Sequence, residues 1–216
     1  MLKLQISNPI FKDLIKLKLI ERKNLKILFN KTRDKKIRVL QDRNSKIIFL
    51  EKNINNKKQY IYGRNKYYLK IFRNIKNNKF LDDDKKRFNL FKKEIKNKKI
   101  LDYGCGFGGF ISLAKKISKV SEGFEMMKIC QKYIRGKKLF KLNVKKLDLK
   151  QKKFDTIFLF HVLEHMSDQL KELKYLKSLL NKNGKLIIEV PHSKDILISN
   201  NELNSFKEFT FWSEHL

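Results

Sequence analysis

The sequence predicts an α/β protein with a Rossmann-like, mostly parallel sheet that carries helices on both faces. After residue 98, apolar strand-like runs alternate with stretches of helical periodicity. The run FDTIFLF at residues 154–160 is almost wholly apolar, as expected of a strand covered on both faces. The glycine-rich stretch ILDYGCGFGGFI at residues 100–111 joins a predicted strand to a predicted helix.

The chain before residue 98 has a different pattern. Three short strands, LKILF, KIRVLQ and KIIFL, are predicted between residues 25 and 50, because turn-forming TRDKK and DRNS separate them. Helices are expected from residue 60 onward, first around Tyr67–Ile75 and then after LDDDKKRF, where an aspartate is expected to cap the second helix. We therefore expect three parts: a β-rich element at 1–58, a helical connector at 59–97 and the Rossmann-like domain at 98–216.

The elements of the last part follow one another regularly. Strands are predicted at KKILDY, KVSEGFE, KLFKLNV, FDTIFLF and KLIIEV, and helices at 107–118, 126–134 and 166–180. The last helix is expected to present one leucine face, formed by Leu170, Leu173, Leu176, Leu179 and Leu180. Asn183-Gly184 is expected to end this helix, and Pro191 to close the final strand.

Composition narrows the possible functions. The formal net charge is +30, and residues 1–100 hold 31 Lys and Arg against 9 Asp and Glu. Such an excess suits nucleic acid, a membrane surface or a phosphorylated substrate, although a general lysine bias would produce it without any partner. No run of about 18 apolar residues predicts a membrane span. Because two cysteines cannot build a disulfide framework, a reducing cytoplasm is the simplest location.

The glycine stretch points to a cofactor. Gly104-x-Gly106-x-x-Gly109 matches the dinucleotide-binding spacing, and Glu125 stands where an acidic residue would hold ribose hydroxyls. Asp102 would repel a pyrophosphate but attract the ammonium and sulfonium of S-adenosylmethionine (SAM), by roughly 1.5–3 kcal/mol. The sequence therefore favours SAM over NAD. Asp102 could also, or instead, cap the glycine turn through main-chain N–H groups.

The segments LDYGCGFGG, GFE, FDTIFLFHVLEHMSD and NKNGKLIIEVPH, in this order, resemble the class I SAM-dependent methyltransferases. The resemblance covers residues 80–216 and is strongest to small-molecule enzymes, such as those of ubiquinone biosynthesis and sugar C-methylation. It implies a set of cofactor-binding residues: Asp102, Gly104, Cys105, Gly106, Glu125, Met126, Asn143, Val144 and Phe160.

The resemblance also implies what these residues do. Asp102 and the glycine backbone would hold the methionine end of SAM, and Glu125 the ribose diol. Met126 would pack on the adenine. At the adenine edge the family often has an acidic residue where this chain has Asn143, whose carbonyl can still accept from the adenine amino group. Phe160 would lie beside the cofactor or serve as an ordinary core residue.

Histidines supply the candidate chemistry. His161 would face the transferred methyl group, either as the base that deprotonates the acceptor or as a structural residue. HVLEH also matches the H-x-x-E-H zinc-peptidase motif. Because His161 directly follows a buried strand, we predict no metal site and expect Glu164 and His165 to organise the next helix start. His192 and His215 are further candidates for the substrate side.

The expected activity is SAM-dependent methyl transfer to a small molecule, for example a nucleotide sugar or a polysaccharide-pathway intermediate. A phosphorylated acceptor would suit the basic first half. One alternative is a nucleic-acid methyltransferase that binds RNA through that half, and another is a truncated domain that binds SAM without turnover. Members of the family continue with a further helix and strand pair, so the resemblance predicts that the C-terminal strands are missing here.

Overall fold

The computed structural model describes residues 5–54, 61, 81–192, 198, 210–213 and 215. It divides into two compact units. The first comprises Met1–Asn55, Leu163–Leu170 and Val190–Leu216, and the second comprises Asn56–Val162 and Lys171–Glu189. The helix predicted at Tyr67–Ile75 lies outside the described residues. No helix in the described ranges is long and apolar enough to cross a membrane.

The first unit contains a small antiparallel sheet with strand order β1-β2-β3. Its elements are helix α1 (Ile10–Lys16), a 3₁₀ turn (Arg22–Asn24), β1 (Leu25–Phe29), β2 (Val39–Asp42) and β3 (Ile48–Leu50). The three strands confirm the prediction, whereas α1 was not predicted from the sequence. Its Phe11 and Leu14 are buried against Leu40 and Phe49, and the rings of Phe11 and Phe49 stack at 5.9 Å.

The second unit is built on a five-stranded parallel sheet with strand order β6-β5-β4-β7-β8. Its strands are β4 (Lys99–Tyr103), β5 (Val120–Phe124), β6 (Lys141–Asn143), β7 (Phe154–Phe160) and β8 (Leu180–Glu189). Its helices are α2 (Asp82–Leu90), α3 (Lys92–Ile95), α4 (Gly109–Ala114) and α5 (Lys128–Lys137), with a 3₁₀ turn at Lys146–Leu149. The 3₁₀ turn Leu163–His165 belongs to the first unit, as do the first two residues of α6 (Gln169–Ser178), whose other residues belong to the second unit. This arrangement confirms the predicted Rossmann-like fold.

The centre of the sheet explains the apolar FDTIFLF run. Ile157, Phe158 and Leu159 of β7 are fully buried, as are Ile100 and Leu101 of the neighbouring β4. Because helices cover both faces of the sheet, side chains that point to either face of these strands must be apolar.

Two predictions about the last helix and strand are wrong. Helix α6 ends at Ser178, and Asn183-Gly184 lies inside β8 instead of ending the helix. Leu180 pairs with Phe154, but the next residue paired along β8 is Lys185, so the intervening residues form an irregularity in the strand. The expected leucine face is also incomplete: Leu176 is buried, whereas Leu170 is 38% exposed.

Candidate active site

Four of the predicted site residues stand at the carboxyl edge of the parallel sheet. Asn143 ends β6, Glu125 directly follows β5, Asp102 lies in β4 and Phe160 ends β7. In the register of the sheet, Phe124 pairs with both Asn143 and Tyr103. Because β6, β5, β4 and β7 are consecutive neighbours, these residues share the edge at which ligands bind in open parallel sheets.

The glycine turn after β4 is tied to the end of β5. The N–H groups of Gly104 and Cys105 both donate to the carbonyl of Phe124, at 2.8 and 3.1 Å. Gly104 has a φ of +85°, and a Cβ atom there would collide with the side chain of Val162. Glycine is therefore required at this position both for its backbone conformation and for the close approach of Val162.

Glu125 anchors the other side of the turn. Its carboxylate accepts from the N–H of Gly106 at 2.8 Å and from the N–H of Met127 at 2.7 Å. The side chain is buried, and this burial raises the pKa of Glu125 to about 7 despite the two hydrogen bonds. The carboxylate is thus held by main-chain dipoles alone.

Asp102 is buried in the same region. Burial, and then the neighbouring carboxyl group of Asp84, raise the pKa of Asp102 to about 8, while Arg87 acts in the opposite direction. Among the described residues, neither Asp102 nor Glu125 forms an ion pair. This edge of the sheet therefore holds two buried carboxyl groups without an ion-pair partner in the described part of the chain.

The prediction that an aspartate of LDDDKKRF caps the following helix is wrong. Helix α2 begins at Asp82, after Leu81, and has no side-chain cap. The three aspartates lie in its first turn, where their charge favours the helix dipole, but the carboxyl group of Asp84 accepts from the N–H of Phe110 in α4. Asp84 also accepts from the N–H of Leu81, the N-cap residue of α2, so LDDDKKRF supports both its own helix and the helix after the glycine turn.

A second polar group lies at the ends of β7 and β8. Arg87 forms a forked ion pair with Glu189, in which Nε lies 3.0 Å from Oε2, and its guanidinium lies 4.7 Å from the ring centre of Phe160. Nε2 of His161 lies 3.0 Å from Oε1 of Glu189. The arginine holds the pKa of Glu189 below its ordinary value. His161 has a φ of +55°, which is uncommon for a residue other than glycine.

Comparison with known proteins identifies the family. A family model described as a methyltransferase domain matches residues 73–215, which is more than half of the chain. The chain belongs to the class I SAM-dependent methyltransferases. This confirms the predicted family and, with it, SAM as the cofactor that the family uses.

The relatives of this methyltransferase are distant. It is 31% identical over 145 residues to an uncharacterized protein of Methanocaldococcus jannaschii, covering 66% of this chain and 61% of the relative. It is 32% identical over 114 residues to a tRNA U34 carboxymethyltransferase of Campylobacter hominis, covering 48% and 40%. A SAM-dependent methyltransferase structure from Archaeoglobus fulgidus is 25% identical with a TM-score of 0.48, covering 59% of each chain. The chain thus spans less than two thirds of each of these proteins.

Polar atoms of Asn143 and Val144, which were predicted to lie at the adenine edge, have protein partners in this methyltransferase. The amide nitrogen of Asn143 donates to Glu122 at 2.8 Å, and its oxygen accepts from Nζ of Lys152 at 2.8 Å. The N–H of Val144 donates to Asp148. The oxygen that was predicted to accept from adenine therefore already has a protein donor.

Met126 and the two cysteines differ in their exposure to solvent. Met126 is 40% exposed directly after Glu125. Burial raises the pKa of the Cys105 thiol well above its ordinary value, so that this cysteine stays protonated and is a poor nucleophile. Cys130 is buried in α5.

The HVLEH stretch does not form a peptidase-type helix. His161 follows the end of β7, whereas Glu164 and His165 lie in the 3₁₀ turn Leu163–His165. The two histidines therefore do not share a helix face, as that chemistry requires. Glu164 and His165 precede the start of α6 at Gln169 by several residues.

Sequence reasoning missed Asp84, Arg87 and Glu189 as site residues. A signal existed for Glu189, since it is the single charged residue in the otherwise apolar IIEV end of its strand. No comparable signal marked Arg87, because its partner lies 102 residues away in the sequence.

Proposed function

We propose that this methyltransferase transfers the methyl group of SAM to a small, phosphate-bearing acceptor of the nucleotide-sugar type. The observation that supports SAM as the donor is the pair of buried carboxyl groups, Asp102 and Glu125, which have no ion-pair partner among the described residues of a chain with 52 Lys and Arg. The phosphate-bearing acceptor is supported by the net charge of +30. A buried carboxylate is unfavourable unless a cation or a proton neutralises it. The ammonium and sulfonium of SAM supply this positive charge at Asp102, whereas the pyrophosphate of NAD would add negative charge.

The contacts of the glycine turn support a division of roles. Asp102 and the Gly104–Gly106 backbone, with Cys105, bind the methionine end of SAM. Glu125 binds the ribose diol, because each of its oxygens accepts one main-chain N–H and has a further lone pair for a hydroxyl. Met126 packs on the adenine. Asn143 and Val144 contact the adenine edge, where Asn143 shares its oxygen with Lys152.

His161 is assigned the removal of the acceptor proton. A general base needs access to the substrate and an orienting partner. The side chain of His161 is 48% exposed, and Glu189 orients its Nε2. Glu189 is itself held by Arg87, and Phe160 lies under the guanidinium. The positive φ of His161 is the kind of backbone strain that clusters at functional sites.

The charges near Phe160 favour methyl over carboxymethyl transfer. A carboxymethyl donor carries an additional carboxylate beside its sulfonium and needs a cation there. Arg87 is the cation beside Phe160, and the negative charges of Glu189 and Asp84 already act on it. A donor without that carboxylate therefore suits the site better.

A second candidate acceptor is tRNA. The similarity to tRNA U34 carboxymethyltransferases favours it, as does the net charge of +30, because a basic chain binds a polyanion. It differs from the first candidate only in the acceptor, so one assay can separate the two.

The test is methyl transfer from SAM labelled in its methyl group, with nucleotide sugars, unmodified tRNA or no acceptor. We expect labelled nucleotide sugar together with demethylated SAM. Label in tRNA alone would replace the first candidate with the second. If the folded chain does not bind SAM in calorimetry, the methyl-transfer proposal is wrong for both acceptors.

The same assay tests His161. The variant His161→Asn should lower kcat by about 100-fold or more, the usual contribution of a general base, and leave the Kd of SAM unchanged. A change in the KM of the acceptor with an unchanged kcat would assign His161 a positioning role instead.

A further inference from the structure

A cluster in the first unit has the composition of a metal site. Ligand atoms of Glu164, His165 and His215 all lie within 4.8 Å of one another, and the two imidazole rings are 4.9 Å apart. The cluster joins the 3₁₀ turn Leu163–His165 to the C-terminal segment, 50 residues later. None of these three residues has a role in the methyl-transfer chemistry proposed above.

The segment that carries His215 is held by several independent contacts. The N–H and hydroxyl of Ser213 both donate to Asp34, at 3.0 and 2.5 Å. The guanidinium of Arg33 lies 4.5 Å from the ring centre of Trp212, and the N–H of His215 donates to the carbonyl of Trp212 at 3.0 Å. These contacts orient His215 before any ligand binds, as a preformed site requires.

Aromatic packing orients the imidazoles themselves. The ring of Trp212 meets those of His165 and His215 edge to face, at 6.1 and 6.0 Å between ring centres. Such packing limits the rotamers of both histidines. It plays the part that outer-shell partners play at known metal centres, which is to fix ligand orientation.

We propose that Glu164, His165 and His215 bind a divalent transition-metal ion, with Zn²⁺ as the best match. Two imidazole nitrogens, which are borderline ligands, with one carboxylate oxygen form a set that suits Zn²⁺, whereas Ca²⁺ and Mg²⁺ sites use oxygen ligands. Tetrahedral zinc with bonds of about 2.0–2.1 Å places its ligand atoms roughly 3.3 Å apart. The ligand atoms of the cluster, which lie within 4.8 Å of one another, have to approach this separation when the ion binds.

The remaining coordination position can face a cavity. Glu164 and His215 line a cavity of about 270 Å³ whose walls are mostly apolar and include Phe49, Val190 and Trp212. Three protein ligands with one open position are the arrangement of metal sites that bind water or a substrate oxygen. The cavity gives such an oxygen ligand room beside the ion. The structure thus assigns the first unit a ligand-binding role of its own.

The experiment uses the untagged chain, stripped with a chelator, then mixed with Zn²⁺ and passed through gel filtration. The wild type should retain one zinc ion per chain in elemental analysis. In chelator-competition titrations, His215→Ala should weaken the Kd by more than about 100-fold, because outer-shell partners alone contribute 10- to 100-fold. Glu164→Gln, which keeps the side-chain shape, should weaken binding in the same direction.

His192→Ala is the matched control, because His192 is an exposed histidine that lines the same cavity but is not part of the cluster. It should bind zinc as tightly as the wild type. Should His215→Ala fail to fold by circular dichroism, Co²⁺ bound to the wild type gives a second measurement, since four-coordinate cobalt absorbs visible light strongly. A folded wild type that retains no zinc would overturn the proposal, as would equal affinity in all variants or a six-coordinate cobalt spectrum.

Discussion

Two glutamates only three residues apart, one in the middle of β5 and one directly after it, have opposite environments. Glu122 is buried and contacts cations, with Nζ of Lys152 at 2.7 Å and Nζ of Lys141 at 3.4 Å. Burial opposes its ionisation, but Lys152 and Asn143 hold the pKa of Glu122 below its ordinary value. Glu125 is buried equally well and receives only main-chain N–H groups, and burial raises its pKa to about 7.

Under the proposed roles, the difference separates a structural carboxylate, Glu122, from two carboxyl groups that bind SAM. The chain has 52 Lys and Arg, and two of these lysines form ion pairs with Glu122. Asp102 and Glu125 have none among the described residues, although they lie on the neighbouring strand and at the end of the same one. A carboxylate with an internal cation contributes to folding, whereas one without such a cation is available to a cationic ligand.

The largest expected effect on SAM binding comes from removing the charge of Asp102. The variant Asp102→Asn should raise the Kd of SAM roughly 10- to 150-fold, since it removes a charge-assisted contact of about 1.5–3 kcal/mol. The free energy of unfolding should not decrease, because the amide removes a buried ionisable group. Calorimetric titration and urea denaturation measure the two quantities.

Glu122→Gln is the matched variant, and we expect it to lower stability without changing SAM affinity. It leaves Lys152 without its anionic partner, so the free energy of unfolding should fall by about 1–3 kcal/mol. The Kd of SAM should remain near that of the wild type. Equal losses of SAM affinity in both variants would mean that the two environments do not differ in function.

The second effect is a pH dependence of SAM binding. The pKa of Asp102, raised to about 8, means that its carboxyl group is mostly protonated at neutral pH. SAM favours the ionised form, so binding releases a proton, and the affinity should rise by up to about tenfold per pH unit below about pH 8. Calorimetry in buffers of different ionisation enthalpy measures the released proton, and Asp102→Asn should abolish it.

Stability without SAM should have the opposite slope. The folded chain binds more protons than the unfolded chain between the ordinary pKa values of 3.8 and 4.5 and the raised values of about 8 and 7 at Asp102 and Glu125. The free energy of unfolding should therefore decrease as pH rises through this range. Groups such as Glu122, whose pKa is lowered, destabilise the fold only as pH falls below their ordinary values. Stability that rises between about pH 5 and 8 would contradict this assignment.

The smallest effect on binding concerns Lys152. The variant Lys152→Met frees the oxygen of Asn143 and should tighten SAM binding by roughly 2- to 12-fold, the contribution of one neutral hydrogen bond of about 0.5–1.5 kcal/mol. The same variant removes the closest partner of Glu122 and should lower stability. An unchanged Kd of SAM would remove Asn143 from the adenine site, and a higher one would show that Lys152 supports that site.

The fold class, the glycine turn and the family could all be predicted from the sequence alone. These features depend on local patterns: the apolar run of β7, the alternation of strand and helix, and Gly104 between a strand and a helix. The positions of Asp102 and Glu125 followed as well, because the carboxyl ends of parallel strands meet at one edge of a sheet. Helix α1 was missed because lysines interrupt its apolar pattern.

The contacts between distant side chains could not be predicted from the sequence and are visible only in the tertiary structure. Arg87 and Glu189 are 102 residues apart, and His165 and His215 are 50 apart, so no local period relates either pair. Lys152 contacts the oxygen of Asn143, although its sequence context marks it only as one lysine among many. Periodicity encodes the backbone and its buried faces, whereas the partner of a buried charge is selected by packing between segments that are distant in the sequence.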